Sequence, residues 1–296
     1  MEDALETFDV SEDELCALVH KLMPTWRDDR LDEFEYLSGG YSNFNVVFRR
    51  RHKTPDASGE LDSRYVLRLP KREQPYVDRH AEAAWYGRLP NAIGPIPLAL
   101  DVHSGQMITP WITGDLLVDV FPGSCCEADL VAYLQAMHAQ LPDVAKHYHV
   151  PTLVPEFIGL DWPADLDRSK FMTGVQSSAS SSDVAVTCHN DLNPWNILVT
   201  PEGWKTLDWE FVGRNDPLFD LVALHQGLQL NISTLPALAT AFLPSCSSQR
   251  LTRAFAHFWL REWCWASYQL RRGNRRKEIV EQESEAKQQL LVLPEF

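Results

Sequence analysis

His189, Asp191, Asn196 and Asp208 are the residues whose types and spacing could do chemistry. The first three stand in CHNDLNPWNILV as H-x-D-x-x-x-x-N, and Asp208 follows in KTLDWEF. A positioned carboxylate such as Asp191 can accept or orient the proton of a hydroxyl, a contribution of roughly 10²–10⁴ in rate. Asn196 and Asp208 offer hard oxygen donors of the kind magnesium prefers. The set suits phosphoryl transfer, in which a protein does little covalent work. Its task is to align an attacking hydroxyl and neutralise charge on phosphate oxygens. His189 is read as structural, holding the loop by hydrogen bonds. An H-x-D alone arises often by chance, and a turn rich in Asn, Asp and Pro needs no function. Here the His–Asp pair, the asparagine, a following strand, its terminal aspartate and a strand-rich segment upstream coincide.

Such a loop needs elements to carry it. Ser11 and Glu14 form a capping box before a helix with Leu15, Leu18, Val19 and Leu22 at helical spacing, and Pro24 ends it. Residues 33–38, 43–49 and 64–69 read as strands, with a Gly-Gly turn between the first two and the polar turn TPDASGE before the third. A helix around Val77–Leu89 and short strands near Leu98–Val102 and Met107–Trp111 follow. From Leu130 onward the pattern is helical, apart from a strand–loop–strand insertion between Val184 and Trp209. This order predicts an α+β, two-lobed fold, with residues 1–112 as a strand-rich N-terminal lobe and 113–296 as a larger helical lobe. SSASSS at 177–182 reads as an exposed flexible loop.

The N-terminal lobe should contain a grip for nucleotide, and LSGGYSNFNVVF offers one. Gly39 and Gly40 at a strand-to-strand turn let backbone approach phosphates closely, and Ser42 and Asn43 add donors. Most Gly-Gly pairs are only hairpins, so the turn alone carries little. Arg68, on the third strand, is placed to hold the α- and β-phosphates, and Glu82 on the following helix could pair with it and fix its direction. In Asn215-Asp216-Pro217, Asp216 is expected to cap the helix that begins PLFDLV.

Composition narrows the partners. The formal net charge of −14 argues against nucleic acid as a partner; it would favour cationic ligands, and acidity that merely keeps the protein soluble is the competing reading. The basic clusters Arg49–Arg51 and Arg271–Lys277 are read as solvated faces or helix ends. The six cysteines show no C-x-x-C spacing, which suits a reducing compartment. No apolar run approaches the roughly 18 residues needed to span a bilayer, and the acidic start lacks a signal-peptide pattern, so a cytoplasmic protein without membrane attachment is expected. His147 and His149 are read as a surface segment rather than a metal site. P-loop, hydrolase-elbow and zinc-protease motifs are absent.

Together HNDLNPWNIL, LDWEFVGRNDPLFDLV, LSGGYSNFNVVF and YVLRLP resemble the choline/ethanolamine-kinase and thiamine-kinase-related branch of the aminoglycoside-phosphotransferase superfamily, over about residues 34–296. The resemblance implies a protein-kinase-like fold, ATP in a cleft between the lobes, and magnesium. It also implies Asp191 as catalytic base and Asn196 and Asp208 as metal ligands. Arginine rather than lysine at position 68 is how choline kinases of this type look. Asp220 resembles the family's buried aspartate that braces the catalytic loop. Glu210 is open: it could contact magnesium indirectly, face a cationic substrate, or face solvent.

Acceptor choice is expected to reside in AFAHFWLREWCWASYQLRRG, where Phe255, Trp259, Glu262 and Trp263 share one helical face and Phe258, Trp265 and Tyr268 lie on the other. Indole faces hold a quaternary ammonium at about 0.5–2 kcal/mol each, so Trp259, Glu262 and Trp263 could form a cage for choline. An aromatic stripe packed as core is the competing reading. Choline or ethanolamine is the first acceptor, with thiamine and then an aminoglycoside as alternatives. A non-catalytic nucleotide-binding or interaction module is the alternative from another class. The absence of D-F-G and A-P-E signatures speaks against a protein kinase.

Overall fold

The computed structural model describes residues 9–37, 42–52, 62–71, 74, 77–158, 162, 166–167, 169, 171, 185–294 and 296. The chain divides into two compact units, Met1–Gly114 and Asp115–Phe296.

The first unit opens with α1 (Glu12–Leu22), started by the Ser11/Glu14 capping box. Three long strands follow, β1 (Arg30–Leu37), β2 (Asn43–Arg51) and β3 (Asp62–Pro70), then α2 (Arg79–Tyr86), β4 (Ala99–Leu100) and β5 (Met107–Pro110). They form an antiparallel sheet in the order β1-β2-β3-β5-β4. Alternation sorts the side chains: Val46, Phe48, Tyr65, Leu67 and Leu69 pack with Leu15 and Val19 of α1 and with Trp26. Arg68, between two of these positions, therefore projects from the opposite face.

Of the arginines 49–51, expected to form a solvated face, Arg49 and Arg51 are partly exposed and Arg50 is more covered, and all three are paired. They lie on β2 among Asp29, Asp32, Glu33 and Asp62, and Arg50 sits over the Trp26 ring at 4.1 Å. Antiparallel pairing with acidic neighbours converts a run of like charge into cross-strand ion pairs. Gly39, Gly40, the TPDASGE turn and the SSASSS segment lie outside the described residues.

The second unit carries β6 (Asp115–Leu116), α3 (Leu117–Val120), α4 (Glu127–Gln140), α5 (Val150–Ile158), β7 (Val186–Cys188), β8 (Ile197–Thr200), β9 (Gly203–Thr206) and β10 (Gly213–Asn215). It ends with α6 (Leu218–Gly227), α7 (Leu235–Phe242), α8 (Ser248–Arg271) and α9 (Lys277–Leu291). β6, β8 and β9 form one antiparallel sheet and β7 with β10 another. α8 packs against α5, α6 and α9, and from Phe258 to Ser267 every residue is buried. Helices thus pack on it from several sides. No helix among the described residues is long and apolar enough to cross a membrane.

Candidate active site

In the second unit, the segment from His189 to Asn196 leaves the end of β7 and enters β8, and Asp208 follows β9. The β8–β9 hairpin brings the two segments side by side: the Leu207 N–H donates to the Asn196 carbonyl at 2.8 Å. Asn196 Nδ2 donates to the Asp191 carbonyl at 2.9 Å, leaving its Oδ1 without a donor among the described residues. Asp191, Asn196 and Asp208 thus occupy neighbouring backbone segments.

The loop is braced from beneath. Asp220, on the first turn of α6 and fully buried, accepts from the backbone N–H groups of His189 and Asn190 at 2.9 Å each. Its Oδ2 also lies 3.2 Å from His138 Nε2 on α4. Burial pulls the Asp220 carboxyl upward, but His138, His189 and the loop N–H outweigh it and hold the pKa below the ordinary value. Asp216 accepts from the Leu218 N–H at 3.0 Å at the start of α6 and pairs with Arg250.

Asn190 and Asp208 both have positive φ, 65° and 56°. Non-glycine residues seldom adopt this left-handed region, and Asn and Asp tolerate it best. The Asn190 side chain repays the geometry: Nδ2 donates to the carbonyls of Cys188, Phe211 and Gly213, and Oδ1 accepts from Asn215. His189 Nδ1 accepts from the Asp191 N–H at 3.2 Å, so Nε2 carries the proton and donates to the Leu207 carbonyl at 2.8 Å.

The Asp191 carboxylate meets two side-chain donors, Asn193 Nδ2 at 2.8 Å and Arg261 Nη2, both on Oδ1. Arg261 comes from α8, and its Nη1 lies 2.9 Å from Glu262 Oε1. Burial pulls the Arg261 pKa down, but Asp191 and Glu262 outweigh it and leave it above the ordinary value. Burial pushes the Glu262 carboxyl up, with Arg261 opposing. Glu262 Oε2 accepts from Gln282 on α9. Trp263 Nε1 donates to Glu283 Oε1 at 2.8 Å, and Trp259 packs edge-on against Phe255 and Phe258. Both indoles are buried. Glu210 is also buried, which removes the solvent-facing reading.

Arg261, Asn190 and Asn193 had not been singled out from sequence. A signal for Arg261 existed: Arg-Glu stands inside the run FWLREWCWA, whose other residues are aromatic, aliphatic or cysteine, where an unpaired charge would be costly.

In the first unit, Arg68 Nη1 and Glu82 Oε1 are 2.8 Å apart, and Arg79 Nη1 meets Glu82 Oε2 at 2.7 Å. Burial pulls the Glu82 carboxyl upward, but both guanidiniums outweigh it and hold the pKa below the ordinary value. Arg68 Nη2 also donates to the Gly105 carbonyl at 3.2 Å. Gly105 has φ 71°, and a Cβ there would meet Arg79 Nε at 2.8 Å, so both backbone and space demand glycine. The Ser42 carbonyl accepts from the Lys71 N–H at 3.0 Å. Asn43 is buried with its Oδ1 lacking a hydrogen-bond partner among the described residues.

The sequence profile of the phosphotransferase enzyme family, APH, matches residues 33–263. The chain belongs to that family. Protein LicA of Haemophilus influenzae is 43% identical over 44 residues, which is 15% of this chain and 16% of that protein. Solved structures share the fold over nearly all of the chain. A choline/ethanolamine kinase family protein from Mesorhizobium loti aligns with TM-score 0.67 at 22% identity, covering 96% of this chain and 95% of that one. Choline kinase LicA from Streptococcus pneumoniae aligns with TM-score 0.69 at 15% identity, covering 95% and 99%. A LicA structure in complex with AMP aligns with TM-score 0.68 at 14% identity, covering 94% and 98%. The kinase-like α+β fold read from the sequence is therefore the fold of this APH-family chain.

Proposed function

We propose that this chain transfers the γ-phosphoryl group of ATP to the hydroxyl of a small cationic amino-alcohol, choline or ethanolamine first, with magnesium. The observation that carries the reading is the convergence of Asp191, Asn196 and Asp208 on adjoining segments, with the Asp191 carboxylate partly exposed. Asp191 takes the acceptor proton. The donor set fits magnesium: an amide oxygen of Asn196 and the Asp208 carboxylate are hard ligands. When bound, the ion neutralises charge on the phosphate oxygens. In the first unit, Ser42, Asn43 and Arg68, the last directed by Glu82, are assigned to the nucleotide. Gly39 and Gly40 keep that assignment from the sequence alone.

For the acceptor, the net charge of −14 and the acidic side chain Glu210 favour a cation, whereas Glu262, assigned to the acceptor from the sequence, is engaged by Arg261 and Gln282. Choline or ethanolamine is placed first on the sequence resemblance and the fold shared with a choline kinase, and thiamine and an aminoglycoside stand as the second and third acceptors. His189, Asp216 and Asp220 are assigned to support of the loop. The test is a coupled assay across choline, ethanolamine, thiamine and kanamycin at matched concentrations. The expected result is a tenfold or larger preference, about 1.4 kcal/mol in the transition state, for choline or ethanolamine. Asp191→Ala should abolish turnover while nucleotide binding persists. Indistinguishable traces for the two proteins would instead identify a binding module without turnover.

A further inference from the structure

Both side-chain donors to Asp191 reach the same oxygen. Arg261 Nη2 and Asn193 Nδ2 meet Oδ1, and Oδ2 receives no side-chain donor among the described residues. Arg261 is fixed in turn by Glu262, which accepts from Gln282 on α9. The result is a buried relay of polar contacts from the last helix to the Asp191 carboxylate. Burying such charges is costly, and apolar side chains of equal volume often pack as well or better. The neighbours of Arg261 in α8, Phe258 to Leu260 and Trp263 to Ala266, are buried and apolar, so packing gives no reason for an arginine here. Its planar fork does, because it can engage two carboxylates at once with fixed geometry, which a lysine cannot.

We propose that Arg261 is a positioning residue for phosphoryl transfer: with Asn193 it pins Oδ1 of Asp191 and so presents Oδ2 to the acceptor hydroxyl. This inference rests on the function proposed above and deepens it. In the step it serves, the acceptor O–H bond breaks and its proton passes to Oδ2. The acceptor oxygen bonds to the γ-phosphorus, and the bond from that phosphorus to the bridging oxygen breaks, leaving ADP. A carboxylate free to turn about its last torsion would offer either oxygen in many directions, and a misplacement of about 1 Å can cost on the order of 100-fold.

The test compares wild type with Arg261→Lys, Arg261→Met and Asn193→Ala. For each, kcat and the KM values for ATP and acceptor are measured and normalised to folded protein by thermal unfolding. Arg261→Met should lose roughly 100-fold in kcat with the KM for ATP held within about twofold, and Arg261→Lys roughly 10-fold. Asn193→Ala should fall in the same parameter. Removing a buried cation also weakens the fold, so if Arg261→Met does not fold, Arg261→Lys decides alone because it keeps the charge. An active wild type whose kcat is matched by folded Arg261→Lys overturns the inference while leaving the proposed function standing. A wild type that phosphorylates none of the acceptors overturns the proposed function and this inference with it.

Discussion

The imidazole of His189 ties the backbone of Asp191 to the carbonyl of Leu207, accepting at 3.2 Å on one ring nitrogen and donating at 2.8 Å from the other. One side chain thereby sets the distance between the segment bearing Asp191 and the segment bearing Asp208. The ring is fully buried and lies 4.6 Å from that of Trp209.

His189→Ala should therefore act on stability and turnover together. It leaves a partly buried carbonyl and a partly buried N–H without their partner and opens a cavity where the buried ring stood, a loss on the order of 3 kcal/mol. Urea unfolding checks the first effect, and kcat per folded molecule checks the second. Full stability in the variant would show that the ring is not a strut.

Much of this arrangement was legible in the sequence because it is local. The strands of the first unit follow from period-two alternation, and the capping box at Ser11 starts α1 where expected. His189, Asp191, Asn196 and Asp208 announce themselves by spacing. What was not legible depends on chain segments far apart. Arg261 meets Asp191 across 70 positions, and no periodicity within α8 says which neighbour an arginine will find. The helical wheel likewise sorts α8 into two aromatic faces, one of which could line the acceptor site, but does not say which helices pack on it; α5, α6 and α9 all do so. The partners of Arg49–Arg51 were not legible because they lie on β1, on β3 and in the turn before β1.

Acid should weaken the fold through His225. This buried residue of α6 accepts from Gln226 on Nδ1 at 2.7 Å, and its Nε2 lies 3.2 Å from the Thr234 hydroxyl. Burial lowers its pKa from 6.5 to about 4, against a raising contribution from the Asn231 backbone. The unfolded chain therefore binds this proton first as pH falls. Stability should decline from pH 6.5 to about pH 4, by up to about 3 kcal/mol. Urea midpoints across that range check it, and His225→Gln should flatten the curve. An unchanged slope in the variant would assign the acid sensitivity to other groups.

Two indoles, Trp195 in the loop beside Asn196 and Trp263 on α8, make opposite predictions for a cationic acceptor. Trp195, one residue before Asn196, is 53% exposed, whereas Trp263 is 4% exposed and donates to Glu283. An attraction between a cation and an aromatic face requires a face the cation can reach, and is worth about 0.5–2 kcal/mol. Trp195→Ala should therefore raise the KM for choline by roughly 2- to 30-fold and that for ethanolamine less, since a trimethylammonium covers more of the ring. Trp263→Ala should instead lower the melting temperature and penalise both acceptors alike, because it removes core packing and strands Glu283. Steady-state kinetics with both alcohols on both variants separates the cases. Selective loss of choline in Trp263→Ala, with Trp195→Ala unaffected, would return the cage to α8 and require its helices to part when the acceptor binds.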